Sequence, residues 1–169
     1  MPIPYKIEPE VADPALAAYF GVVEDRYLFV GGLLVVDSFG QPVEFLYSSV
    51  QVPGGILWPR QTVQRAATAR LFHDLADHCQ PTVACVLLTG PCAEEDFVNQ
   101  ILKPEVPVLK IDASAGGSPT GATVLSGNPG PEVRELIQSL TDLQILAEPF
   151  ARIEAALREV LPSRPVARP

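Results

Sequence analysis

The chain has 169 residues and a formal net charge of −8, with 12 Lys and Arg against 20 Asp and Glu. Hydrophobic residues make up 47% and charged residues 19%, enough apolar material for a core and too much for a disordered chain. The length suits one domain, and the acidic balance argues against partners that are bound through basic footprints, namely nucleic acid and anionic membranes.

Residues 1–12 read as an extended Pro-rich segment, 13–161 as a single α/β domain and 162–169 as a frayed tail. Asp13-Pro14 has the form of an N-cap followed by the first helical position, so a short helix over 14–20 is expected, ending at Gly21. Tyr27 to Val36 is the longest apolar run, ten residues containing two glycines. A membrane-spanning helix needs about 20, so this run reads as a central strand buried on both faces. Gly31 and Gly32 within it point to a bulge or to the close approach of another backbone. Asp37-Ser38-Phe39-Gly40 reads as a turn and Pro42 to Val52 as the return strand. On that strand Val43, Phe45 and Tyr47 share one face, and Glu44, Leu46 and Ser48 the other.

Pro53-Gly54-Gly55 breaks the sheet, and a helix follows over 59–79. Val63, Ala67, Leu71 and Leu75 form its apolar stripe, widened by Phe72, Ala76 and Cys79, with Arg70, His73, Asp74 and Asp77 on the wet face. Val83 to Leu88 has no polar alternation and reads as a buried strand. A short helix over 93–103, with Glu94, Glu95 and Asp96 in its first turn, leads to a strand from Val106 to Ile111. Strand, helix and strand in this length imply a parallel pair joined by a crossover. Asp112 to Gly121 is a small-residue loop, and Ala122 to Leu125 an edge strand. Helices are expected over 131–141 and 147–161, the last with an apolar stripe of Phe150, Ile153, Leu157 and Val160/Leu161. The fold class is therefore α/β, a mixed sheet of an antiparallel hairpin plus a parallel βαβ unit, with helices covering the sheet. The hairpin can join the βαβ pair on either side, so strand order stays open.

Cys79, Cys85 and Cys92 are an odd number within fourteen residues, which fits free thiols in a reducing compartment. Met1-Pro2-Ile3-Pro4-Tyr5-Lys6 lacks the basic-then-apolar pattern of a signal peptide. The expectation is a soluble, cytoplasmic protein.

Two stretches carry a resemblance. Gly31-Gly32-Leu33-Leu34-Val35-Val36-Asp37, with Gly40 and Pro42-Val43-Glu44-Phe45, and the later Glu148-Pro149-Phe150-Ala151-Arg152-Ile153 resemble an uncharacterised family of bacterial hypothetical proteins. That resemblance implies a bacterial, cytosolic protein and assigns no catalytic residue. An RNase H-like fold also begins with an antiparallel meander followed by a helix and further strands. Its chemistry needs carboxylates clustered to hold two metals. Between Tyr27 and Val36 there is no acid, and Asp37 falls on the turn, so a metal-dependent nuclease is not expected.

His73 with Asp77, and Asp74 with His78, have the i,i+4 spacing of a metal pair, but the same spacing makes an ordinary polar helix face. No metal and no cofactor is expected. Cys92 follows Thr89-Gly90-Pro91 just before a helix, where a thiol can become nucleophilic, although the three acids after it oppose that. In open α/β sheets ligands gather beyond the carboxyl ends of parallel strands. The loops 89–92 and 112–121 leave the two parallel strands at that edge. The candidate ligand-binding residues are Thr89, Cys92, Asp112, Ser114, Gly116 and Gly117. Trp58, before the long helix, reads either as an anchor for a partner protein or as a hydrophobic staple.

With no base positioned by spacing and no phosphate loop, the first expectation is a non-catalytic binding or assembly module of a soluble bacterial complex. It would contact a protein partner, with self-association into a homo-oligomer compatible, and no nucleic acid or membrane. The alternative is a small-molecule enzyme using the loops 89–92 and 112–121, with Asp112 and Cys92 as its candidates.

Overall fold

A computed structural model describes residues 15–53, 58–90, 93–102, 104–111 and 122–161. Among the described residues six strands form one sheet: β1 (Ala17–Asp25), β2 (Leu28–Val36), β3 (Pro42–Gln51), β4 (Cys85–Leu88), β5 (Val108–Ile111) and β6 (Ala122–Ser126). Their spatial order is β3-β2-β1-β4-β5-β6. β1 to β3 make an antiparallel meander, β1 runs parallel to β4, β4 parallel to β5, and β6 closes antiparallel on β5. The mixed α/β sheet expected from sequence is thus present, and the strand order is settled: the hairpin joins the parallel pair through β1.

Four helices among the described residues cover it. α1 (Arg60–His78) crosses from β3 to β4, and α2 (Glu95–Phe97), which runs on as a π-helical turn over Val98–Leu102, links β4 to β5. α3 (Pro131–Asp142) and α4 (Glu148–Val160) follow the sheet. Alternation along β1 sorts its side chains between two cores. Ala18 and Phe20 pack with Phe29, Leu33, Leu71, Phe72 and Phe97 under α1 and α2. Ala17, Tyr19 and Val23 pack with Val30, Leu34, Leu87, Leu136, Ile153 and Leu157 under α3 and α4. Phe20 meets Phe72 edge-on with centroids 5.3 Å apart, and Tyr19 meets Phe150 in the same way at 4.9 Å, geometries that add to the burial itself.

Where a helix is expected over 14–20, the described residues from Ala17 onward form strand β1. Its segment is apolar on both faces and rich in Tyr, Phe and Val, which suit a pleated surface. A strand there buries both faces between two helical layers and pairs on both edges, so tertiary pairing outweighs the apparent cap at Asp13-Pro14. β1 accordingly lies inside the sheet, between β2 and β4, and the return strand β3 is its edge. Val43, Phe45 and Tyr47 are exposed along it, and Leu46 and Val50 are tucked toward α1.

Gly31 and Gly32 carry no bulge; the β2–β3 register shifts at Val35/Val36. They are instead points of close approach, by side chains and not by backbone. A Cβ at Gly31 would lie 3.0 Å from Leu71 Cβ, and one at Gly32 3.1 Å from Ile153, Leu157 and Phe45. The turn after β2 is held by Asp37, whose Oδ1 accepts from the amides of Phe39 and Gln41, both at 2.9 Å. Gly40 in that turn has φ +75° and faces Ile145, and Arg152 Nη1 donates to its carbonyl at 3.1 Å. The two stretches quoted above for their family resemblance therefore meet in space, and their joint role is to seat α4 on the β2–β3 hairpin.

The expected extended segment 1–12 and tail 162–169 lie outside the described residues. No helix among the described residues is long and apolar enough to cross a membrane.

Candidate functional site

β1 outruns β4. Their last paired residues are Tyr19 and Leu87, while β1 continues to Asp25 and β4 ends at Leu88. Beyond that point β1 stays paired only with β2, and a crevice opens on its other edge. This is the carboxyl end of two adjacent parallel strands, reached by a change of connection from hairpin to crossover, where open α/β sheets hold ligands.

The crevice has a volume of about 410 Å³, within the range of small-molecule sites. Gly21, Val22, Val23 and Phe29 form its floor, with Thr89 and Gly90 at the end of β4. α1 contributes Gln64 and Thr68, and α4 contributes Phe150, Ile153, Glu154, Leu157 and Arg158. Gly21 lets α4 come close, since a Cβ there would stand 3.2 Å from Ile153. Gly90 has φ +68° and open space beside it.

Glu24 is held in the crevice from α1. Its carboxylate accepts from Gln64 Nε2 at 3.0 Å and pairs with Arg60, so two residues of α1 fix its position. Glu154, on the α4 side, accepts from Arg158 Nη2 at 2.8 Å. Thr89 donates its hydroxyl to the carbonyl of Ile111 at 3.0 Å, tying the carboxyl ends of β4 and β5 together. A second compartment of about 440 Å³ lies between α1 and α2, lined by Arg60, Gln61, Gln64, Arg65, Thr68, Glu94 and Phe97. It shares Gln64 and Thr68 with the crevice, so the two adjoin across one helix face.

Of the ligand-binding residues expected from sequence, Thr89 lies in the crevice. Cys92, Asp112, Ser114, Gly116 and Gly117 fall outside the described residues. Cys85 is buried in the core, and burial pushes its thiol up to about 12. Cys79 is also raised, by burial and then by the nearby Glu44, so neither behaves as an activated nucleophile. His78 Nδ1 lies 2.7 Å from the Asp74 carbonyl and His73 Nε2 3.3 Å from that of Ile101. Among the described residues no three of His, Cys, Asp and Glu gather as metal ligands. Trp58 is 64% exposed and lines a hollow together with Val63, four positions into α1.

Sequence reasoning missed Glu24, Gln64, Thr68, Glu154 and Arg158. The signal was available for Glu24 alone. Had 17–25 been read as a strand parallel to 85–88, its carboxyl end would have drawn attention to Glu24 and Asp25.

No family model and no curated protein matches the chain. Among solved structures it is similar to endonuclease V from Bacillus subtilis (TM-score 0.41, 12% identity, 57% of this chain and 43% of that one). It is also similar to Argonaute from Marinitoga piezophila in complex with a 5′-OH guide RNA (TM-score 0.39, 10% identity, 78% and 26%). A third is RNase H1 from Halobacterium salinarum (TM-score 0.38, 12% identity, 86% and 98%). The chain thus spans less than half the length of the first two. These neighbours carry nuclease names or a bound guide RNA, and none of them lends support to the expectations of a non-catalytic module that binds a protein partner and of no nucleic acid, which are not carried further. At these scores they pass no activity on to this chain, whose site must be read from its own residues.

Proposed function

We propose that this chain is an enzyme of small-molecule chemistry whose substrate sits in the crevice at the carboxyl ends of β1 and β4. One observation carries the reading: a cavity of ligand size opens where β1 outruns β4, with a carboxylate held at its edge by Gln64 and Arg60. The floor is apolar, and the walls supply two carboxylates, two hydroxyls, an amide and a guanidinium. Such a set desolvates and orients a polar organic molecule, and a positioned carboxylate takes a proton from a bound hydroxyl or amine. Glu24 is assigned that role. Thr89 and Gly90 supply the strand-end contacts, Thr89 also fixing the edge of β5 through Ile111.

The test is a thermal-shift screen against polar metabolites followed by product analysis of every hit. A ligand bound by the native state alone raises the melting temperature. The expected result is at least one hit that is turned over by the parent chain, no longer turned over by Glu24→Gln, and no longer bound by Thr68→Trp, which fills the cavity from α1. Hits that stabilise and react equally in all three proteins place the site elsewhere and overturn the reading, as does a screen without a hit.

A further inference from the structure

The compartment between α1 and α2 names the class of substrate. We infer that it is the subsite for an anionic group, a phosphate or a carboxylate, carried by the molecule whose remainder lies in the crevice; this rests on the crevice being the substrate site. The compartment adjoins the crevice through Gln64 and Thr68, so one molecule can occupy both. Gln61, Gln64, Arg65 and Thr68 line it from one face of α1, the spacing at which helical side chains are neighbours. They offer amide, hydroxyl and guanidinium donors.

Two guanidinium groups, Arg60 and Arg65, face this one space in a chain whose net charge is −8. In the Arg60–Glu24 pair the guanidinium side chain is 68% exposed and the carboxylate 19%. The accessible partner is therefore the cation, and its five-donor fork reaches further than one carboxylate occupies. The Arg65–Glu94 pair is open on both sides, at 38% and 49%. Exposed pairs of this kind contribute little, so Glu94 yields to an arriving anion at small cost. Arg65 also lies 6.0 Å from the centroid of the Phe97 ring, which braces the guanidinium plane. Bidentate recognition of phosphate or carboxylate is what such a plane does best.

Four probes of similar shape test this: phenyl phosphate, benzoate, benzyl alcohol and benzylammonium, titrated into the labelled full chain and followed by amide chemical shifts. The expected result is that the two anions move amides of residues 61–68 and 94–97, and that Arg65→Gln and Arg60→Gln each weaken them about tenfold, the worth of one charge-assisted contact. The order of phenyl phosphate and benzoate assigns the anion. Circular dichroism confirms that both variants stay folded. Binding of benzyl alcohol or benzylammonium at residues 21–24, with the anions silent there and at 61–68, overturns the anion subsite and leaves the crevice standing. Anion binding unchanged in both arginine variants overturns it too. If no probe moves either group of amides, the subsite and the crevice reading fall together.

Discussion

The two halves of β1 have opposite surroundings. Ala17 to Phe20 are fully buried, paired on both edges as far as Tyr19 and sandwiched between α1 and α4, whereas Gly21 to Asp25 are mostly half-exposed and paired on one edge only. The same strand thus holds the molecule together in its first half and lines a cavity in its second. The change occurs where β4 stops. A short strand beside a long one frees backbone and side chains at a fixed place in a rigid frame, which is what a site requires.

The comparison breaks most readily at Phe20. Phe20→Ala empties the core beneath α1 and is expected to cost about 3–5 kcal/mol in urea unfolding, against about 1 kcal/mol or less for Val22→Ala two positions on. Equal losses would mean that the halves do not differ. A second test uses pH. Cys85, which pairs with Ala17 in register, has its folded value raised by burial from 9.0 to about 12. Tyr19 is raised as well, from 10.0, again chiefly by burial, with its hydroxyl donating to the Leu146 carbonyl at 2.6 Å. Both groups keep their protons when folded and lose them sooner when unfolded. Their stabilisation is therefore complete below pH 9.0 and drains away as pH rises toward 12. Cys85→Val is expected to make the alkaline loss above pH 9.0 shallower, leaving the smaller share of the less buried Cys79 and, from pH 10.0, that of Tyr19. An unchanged slope would take Cys85 out of the account.

Smaller effects probe the second half. Gly21→Ala presses a methyl against Ile153 at 3.2 Å, and about 1–2 kcal/mol is expected in chemical denaturation. Glu24→Gln is the mildest for stability, under about 1 kcal/mol for a pair whose arginine is largely exposed, yet it should remove turnover. A Glu24→Gln protein that unfolds as readily as Phe20→Ala would assign this carboxylate to the fold and not to the site.

Most elements were legible because their periodicities are strong. The four-residue repeat of Val63, Ala67, Leu71 and Leu75, the turn at Asp37 to Gly40 and the apolar run of β4 all mark their own boundaries. β1 was not legible. A short apolar run cannot be told from a buried helix by periodicity alone, and here Asp13-Pro14 imitates the start of a helix and tips the reading. With β1 misplaced, the meander looked like a hairpin, and the search for acids fell on 27–36 instead of the strand that ends in Glu24 and Asp25. The edge of the sheet that holds the site followed from the general rule for parallel strands, and Thr89 was found by it. The rest of the crevice depends on contacts across the chain, such as Gln64 with Glu24 and α4 with Gly21, which no local pattern announces.

The seating of α4 also bears on how the chain is made. Its Arg152 reaches back to Gly40 across 112 residues, and its side chains complete the core over Tyr19, Val30 and Leu34. Residues 17–51 of the meander are made well before α4, so the face that α4 covers has to wait for residues 148–160. Through the synthesis of the intervening stretch that apolar, glycine-notched face lacks the helix that seals it.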